Sequence, residues 1–492
     1  MSRELLALVK HDCPTCELLL PVLDAAACDG AAVRILSQSS REETDAQAAR
    51  LGLQCVTLDA ELELSARHDP DAVPALLLLE DGRELDRVEG LDRERIAALA
   101  RAAGVPLEVG ALPERRPGCA SRTRDPEVLA PLRARQAREQ GRIRSRVIRI
   151  GALEDPFEAL DRRGFTDGLP VIPPTAERVV AMLDHTRRDP QEVVAVVPPY
   201  LYAATVEKVA INAVMAGCPP RALPIVLAAL DAACEPSFSL HGVIATTNPV
   251  APLLVVSGPL AAEVGMNAEG NCLGQGNRVN LGIGRALQLT VRNVGGALPG
   301  LDDRATLGQM GKLAACFAER LDGSPWESLS VERGLAEHET GVTVFAAEGP
   351  RVVPDAVSRT PESLAASFGM ALDALYHPKL RDAFAPIFVI PPSCGAVFGR
   401  AGWDKSRVKR EIFERSKRPA AELVHGARGC EQGMDPTALS DDGSGVPKVP
   451  SPDVIQIVYA GGDAGSMAML VGAFAANERG SLPATRRVED WQ

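Results

Sequence analysis

Aromatic residues make up only 4% of this 492-residue chain, so its cores must be packed from Ala, Leu and Val. Positive charge is also short, and a net charge of −12 argues against nucleic acid or an anionic membrane as the main partner. No unbroken apolar run of membrane-spanning length is present. The longest, from Val454 to Ala476, is interrupted by Gly461-Gly462-Asp463 and Gly465. The start, MSRELLALVKHDC, reaches charged residues too soon for the apolar core of a signal peptide. The eleven cysteines are odd in number and irregularly spaced, which fits a reducing compartment better than a disulfide scaffold. The expected location is cytoplasmic. At ~100–200 residues per domain the length allows two to four domains.

What the chain does have is a dithiol in a telling place. Leu5–Val9 reads as a short apolar strand, followed by Cys13-Pro14-Thr15-Cys16 and an apolar-faced helix. Pro14 suits the first helical turn, where its missing N–H costs nothing. Cys13 then faces the unpaired N–H groups and positive end of the helix dipole, which lower a thiol's pKa. Cys16, one turn inside, is placed to attack a mixed disulfide on Cys13. A structural zinc site is the alternative for such a pair, but no second Cys or His pair at metal spacing lies nearby. No metal ligands and no cofactor beyond the redox-active dithiol are identified, and whether a metal is bound is not legible.

Val73-Pro74 then opens a second apolar strand through Glu80, with a turn at Asp81-Gly82, a hairpin partner over Arg83–Gly90 and a closing helix over Leu91–Ala103. This order resembles the thioredoxin family over residues 1–105. The resemblance implies a thioredoxin-like fold in which Cys13 attacks, Cys16 resolves, and Pro74, in the family's cis-proline position, shapes the docking groove. His11 and Asp12 stand where the family usually carries an aromatic and a small residue, which leaves redox potential and partner choice open.

The remaining text divides into a Pro- and Arg-rich connector over 106–150, then α/β text over 151–350 and 351–492. Cys28 and Cys55 sit in apolar settings and read as small core residues. Cys119, in the turn-rich, arginine-flanked segment RPGCAS, reads as a relay thiol or a bland exposed cysteine, with nearby positive charge favouring its thiolate. An internal echo organises the large unit. Ala229-Leu230-Asp231-Ala232 precedes the apolar strand Ala251–Val256, as Ala371-Leu372-Asp373-Ala374 precedes Ala385–Ile390. Val454–Tyr459 and the Gly461–Ser466 turn suggest a third strand–turn unit ending in an apolar helix. The expected fold class is α/β: a thioredoxin-like domain followed by a larger layered α/β unit of two related lobes with a cleft between them.

Three places in that unit could carry chemistry, each beside a strand end or helix start. The loop Asn267–Asn280, with Asn271, Cys272, Gly274, Gly276, Asn277 and Arg278, could bind an anionic or polar ligand, or be a glycine-rich structural turn. His241 could act as a general acid or base, or be a satisfied loop histidine. Cys218 and Cys394 follow a helix and a strand as nucleophiles might, whereas Cys234 and Cys316, on apolar helix faces, read as core.

The runs DGLPVIPP and GNCLGQGNRVN are also similar to uncharacterised bacterial proteins associated with thiol and selenol chemistry. Three functions fit. The first is a thiol-dependent oxidoreductase that passes electrons from the dithiol to a small-molecule or thiol substrate, or to a cysteine held by the large unit. A thioredoxin-reductase-type donor would supply it. The second is a lyase or hydrolase whose thiols the dithiol keeps reduced. The third is a non-catalytic thiol-docking protein. Oligomeric state is not legible.

Overall fold

The computed structural model describes residues 3–381, 384–429, 431–439, 443–474 and 480–492. It comprises two compact units, Met1–Gln140 and Gly141–Gln492. The last two residues of the Val454–Ala476 apolar run lie outside the described residues.

The first unit has a thioredoxin-like fold. Its five-stranded sheet has the order β3-β2-β1-β5-β6, where β1 is Arg3–Val9, β2 Val33–Ser37, β3 Val56–Leu58, β5 Ala75–Glu80 and β6 Arg83–Glu89. The first three strands are parallel, while β5 and β6 run antiparallel. Leu5–Val9 and Ala75–Leu79 are buried throughout, as a central strand covered on both faces requires. The Pro14–Cys28 helix turns Cys16, Leu19, Leu20 and Leu23 inward, and the Arg93–Ala103 helix does the same with Ile96 and Leu99. Each such leucine contributes about 1.5–3 kcal/mol of burial.

Residues 106–140 belong to this unit rather than to a separate connector. Strand β4 (Ala72–Val73) pairs with β9 (Cys119–Ala120), and β7 (Leu91–Asp92) pairs with β8 (Arg115–Arg116). Arg135, on the Pro126–Glu139 helix, donates to Glu61 at 2.8 Å. The arginine-rich stretch is thus a helix packed on the first unit up to Glu139, while its remainder from Gly141 onward belongs to the second unit.

The second unit is built on one eight-stranded sheet. Its path is β13-β12-β14-β18-β16-β17, with β15 (Arg351–Pro354) on β18 and β19 (Ala484–Arg487) on β14. Strand β12 (Ala251–Ser257) is parallel to β13 (Cys316–Ala318) and antiparallel to β14 (Gly341–Ala347). Strand β16 (Phe384–Ile390) repeats the pattern, parallel to β17 (Gln456–Tyr459) and antiparallel to β18 (Met467–Phe474). The internal echo is therefore a repeat of a three-strand motif. The halves join where Ala347 pairs with Ala473, so they share a sheet instead of facing each other across a cleft.

One element departs from expectation. Met467–Phe474 is a strand, not a helix, because it fills the slot between β16 and β15, where Ala468 and Leu470–Ala473 are buried. A short apolar run carries no period that distinguishes the two.

Candidate functional site

The dithiol sits where the strand–helix junction puts it. Cys13 is the N-cap of the Pro14–Cys28 helix, and the Cys16 backbone N–H donates to its Sγ at 3.3 Å. The Cys13 thiol in turn donates to the Val73 carbonyl at 3.4 Å, beside the cis Val73-Pro74 bond. Cys13, Cys16 and Pro74 are thus brought together. The Cys16 thiol donates to the Cys13 sulfur, and Cys16 N–H and the Cys119 thiol and N–H add to it. Together they outweigh burial and lower the Cys13 pKa from 9.0 to about 5. Burial pushes the Cys16 thiol far upward, and the neighbouring Cys13 sulfur pushes it further. The two sulfurs are thus pushed in opposite directions, Cys13 towards its thiolate and Cys16 towards its thiol.

Both sulfurs are fully covered, at 0% exposure. Part of the cover is the segment Arg116–Ala120, which lies across the dithiol. Thr15 Oγ1 donates to the Pro117 carbonyl at 2.8 Å. Cys119 pairs with Val73 in the β4–β9 ladder. Gly118 is required there, because a Cβ on it would lie 2.7 Å from the Val73 oxygen and 3.1 Å from Gly90 Cα. The segment is anchored beyond Cys119 by Gln38, which donates to Ser121 Oγ at 2.9 Å and accepts the Arg122 N–H at 2.9 Å. The Cys119 pKa is raised, not lowered as its arginine neighbours suggested. The hydrogen bond it gives to the Cys13 sulfur is the largest cause, followed by burial.

Cys28 and Cys55, expected as separate core residues, form a disulfide across 27 residues of sequence, with Cα atoms 6.2 Å apart. Asp24 draws the two ends together by accepting the N–H groups of Gln54 and Cys55 at 3.0 and 2.7 Å. These three side chains are the one group among the described residues whose potential metal-ligating atoms cluster. Their donors are already engaged by the disulfide and the backbone.

In the second unit the Asn267–Asn280 loop is braced by its own asparagines. Asn277 Nδ2 donates to the carbonyls of Asn271 and Gly274 at 2.7 and 2.9 Å, and Asn271 Nδ2 donates to Gln275 O at 2.9 Å. Asn280 Nδ2 holds Asn267 O and Cys272 O at 2.8 and 3.0 Å. Asn271 adopts φ 62° and Gly276 φ 86° to turn the chain. Gly274 and Arg278 border a cavity of about 710 Å³ walled by Ile172, Leu253, Leu281, Leu313 and Phe317, while Asn271, Cys272, Gly276 and Asn277 lie outside its lining. Arg278 is exposed, with its Nε on the Gly217 carbonyl at 3.2 Å. Glu348 also borders the cavity, paired with Arg351.

The other sulfurs are quiet. Burial raises Cys218 to about 12, partly offset by Arg278, and raises Cys272 to about 11. Cys394 is 2% exposed in an apolar cluster with Phe368 and Phe398, and burial raises its pKa too. Cys316 lies on strand β13, not on a helix, and forms part of the cavity wall. His241 is exposed on the short Leu240–Ala245 helix, away from the cavity lining. Arg285, which borders the cavity, forms a bidentate ion pair with Asp167 at 2.7 and 2.8 Å that sequence alone did not show. Only its two charges on a loop and a helix, 118 residues apart, could have hinted at it.

No family model matches the chain, and no curated protein matches it. Solved structures similar to part of it include StoA from Bacillus subtilis, at 16% identity over 20% of this chain and 82% of that one, TM-score 0.18. Another is MTB DsbF in mixed oxidised and reduced forms, at 17% identity over 21% of this chain and 81% of that one, TM-score 0.19. A third is a secreted Mycobacterium tuberculosis disulfide oxidoreductase homologous to E. coli DsbE, at 17% identity over 20% and 81%, TM-score 0.18.

Proposed function

We propose that the protein is a thiol-dependent oxidoreductase in which Cys13 and Cys16 supply two electrons to a disulfide-type or comparable oxidised substrate. The observation that carries this reading is the placement of Cys13, which caps the Pro14–Cys28 helix, takes the Cys16 N–H on its Sγ at 3.3 Å and lies beside the cis Val73-Pro74 bond, a setting that lowers its pKa. Cys13 thiolate attacks one sulfur of the substrate disulfide, and the other leaves as a thiolate that takes a proton from water. Cys16 then gives up its proton and attacks Cys13 Sγ. The second substrate thiol departs, and a Cys13–Cys16 disulfide remains. An external dithiol donor, of the thioredoxin-reductase-linked type, restores the pair. In this reading the large unit binds the substrate in its apolar cavity, with Arg278 at the border to recognise an anionic group.

Cys13→Ser and Cys16→Ser variants of the full chain, assayed for reduction of oxidised glutathione, test the proposal. Turnover that is lost in Cys13→Ser and slowed in Cys16→Ser, and is not restored by excess dithiothreitol after correction for its direct reaction, supports it. Turnover restored to Cys13→Ser by dithiothreitol overturns it in favour of a dithiol that only maintains other thiols, and turnover unchanged in both variants overturns it in favour of a thiol-docking protein.

A further inference from the structure

Cys119 is left unused by a two-cysteine mechanism, yet it is the residue most deliberately placed beside it. Its backbone is in register with Val73, the residue whose carbonyl takes the Cys13 thiol. The Cys13 sulfur is also the largest cause of the raised Cys119 pKa. The glycine before it permits the close approach that a side chain would block, and the Gln38–Ser121–Arg122 hydrogen bonds after it fix the strand. Cys16 is fully buried, whereas Cys119 is partly exposed. Next to it, Ala120 and Ser121 border a polar hollow of about 410 Å³, lined also by Lys10, His11, Glu43 and Arg122.

We propose that Cys119 is a third redox thiol, which takes over the disulfide from the buried Cys13–Cys16 pair and presents it to the external reductant at the polar hollow. This rests on the dithiol chemistry proposed above. Cys119 sulfur attacks Cys13 Sγ, the Cys13–Cys16 bond breaks, and the proton lost by Cys119 ends on the departing Cys16 sulfur. A Cys13–Cys119 bond has formed with no net oxidation. An external dithiol then attacks Cys119 Sγ, and Cys13 leaves as a thiolate. Its low thiol pKa makes it the better leaving group, so reductive opening is fast from this side. The dithiol's second sulfur releases Cys119 as a thiol and departs as a disulfide. The segment Arg116–Ala120 thereby serves as a built-in substrate strand over the dithiol.

The test oxidises the full-length protein with oxidised glutathione, blocks free thiols with N-ethylmaleimide and maps disulfides by mass spectrometry without reduction. In Cys16→Ser the Cys13 peptide is expected to be joined to the Cys119 peptide. In the wild type, Cys13–Cys119 is expected beside Cys13–Cys16. Oxidised Cys119→Ser is expected to be reduced by dithiothreitol about tenfold more slowly than wild type, because attack from the exposed side is lost. Glutathione retained on Cys13 of Cys16→Ser with Cys119 alkylated, or equal reduction rates in wild type and Cys119→Ser, overturns the proposal while leaving the dithiol reading intact. Should Cys16→Ser not fold, the wild-type map and the Cys119→Ser rate decide alone. A Cys13 that takes up neither glutathione nor a protein thiol in the wild type sinks the dithiol reading itself, and this proposal with it.

Discussion

Cys119 stands directly opposite Val73 in a two-residue antiparallel ladder, and Val73 in turn accepts the Cys13 thiol at 3.4 Å. The chain has laid a strand of its own over the sulfur it depends on. That strand bears on both access to Cys13 and its reactivity, since Cys119 is also among the groups that lower the Cys13 pKa.

Access is controlled at Gly118. A Cβ there would collide with the Val73 carbonyl at 2.7 Å, so Gly118→Val should lift Arg116–Ala120 from the dithiol. Alkylation of Cys13 by N-ethylmaleimide at neutral pH is expected to speed up by about tenfold or more, since an opening cost of ~1.4 kcal/mol is removed for each factor of ten. An unchanged rate would mean the segment does not gate the sulfur.

Stability of the reduced protein should depend on pH through Cys13. Its folded pKa of about 5 lies below the ordinary 9.0 of an unfolded thiol. Its contribution is therefore complete above the unfolded value and disappears as pH falls through about 5. Denaturant unfolding between these limits is expected to show stability rising with pH in the wild type and a flatter profile in Cys13→Ser.

Much of the dithiol site was legible because it is local. A strand, a Cys-Pro-Thr-Cys turn and a helix follow one another without a break, and Pro74 announces the strand behind them. What escaped was held by pairs distant in sequence. Strands β4 and β9 are two residues each, too short for any period, so Cys119 gave no sign of its register with Val73. Cys28 and Cys55 meet only because Asp24 collects two N–H groups from the far segment. In the large unit the echo around Ala251–Val256 and Ala385–Ile390 did mark real strands. The Asn271 and Asn277 side chains, which resembled ligand groups, are spent on the loop's own carbonyls. Sequence shows donors; only the fold shows what they are already bonded to.

The Asp167–Arg285 pair carries a stability prediction. Both side chains are largely covered, at 12% and 15% exposure, and Arg285 also donates to the carbonyls of Leu169 and Pro170. Burial pushes the Asp167 carboxyl up, but Arg285 more than compensates and holds it below its usual range. Asp167→Asn strands a guanidinium and is expected to cost about 3 kcal/mol in urea unfolding. A loss under about 0.5 kcal/mol would class the pair with exposed surface bridges.

The cavity of about 710 Å³ gives a binding prediction. An anionic naphthalene sulfonate probe should bind the folded protein there. Arg278→Ala is expected to weaken binding about tenfold, the scale of one charge-assisted hydrogen bond. Leu281→Trp, which fills the space, should abolish it. Equal affinity in all three proteins would place the probe elsewhere.

The central claim, that the helix start and its neighbours make Cys13 a ready thiolate, is tested most directly by ultraviolet thiolate titration of the reduced full-length protein beside Cys13→Ser. One sulfur is expected to ionise with a midpoint near pH 5, and that step to vanish in Cys13→Ser. A wild-type profile with no ionisation below pH ~8, the range of an ordinary thiol, would contradict it.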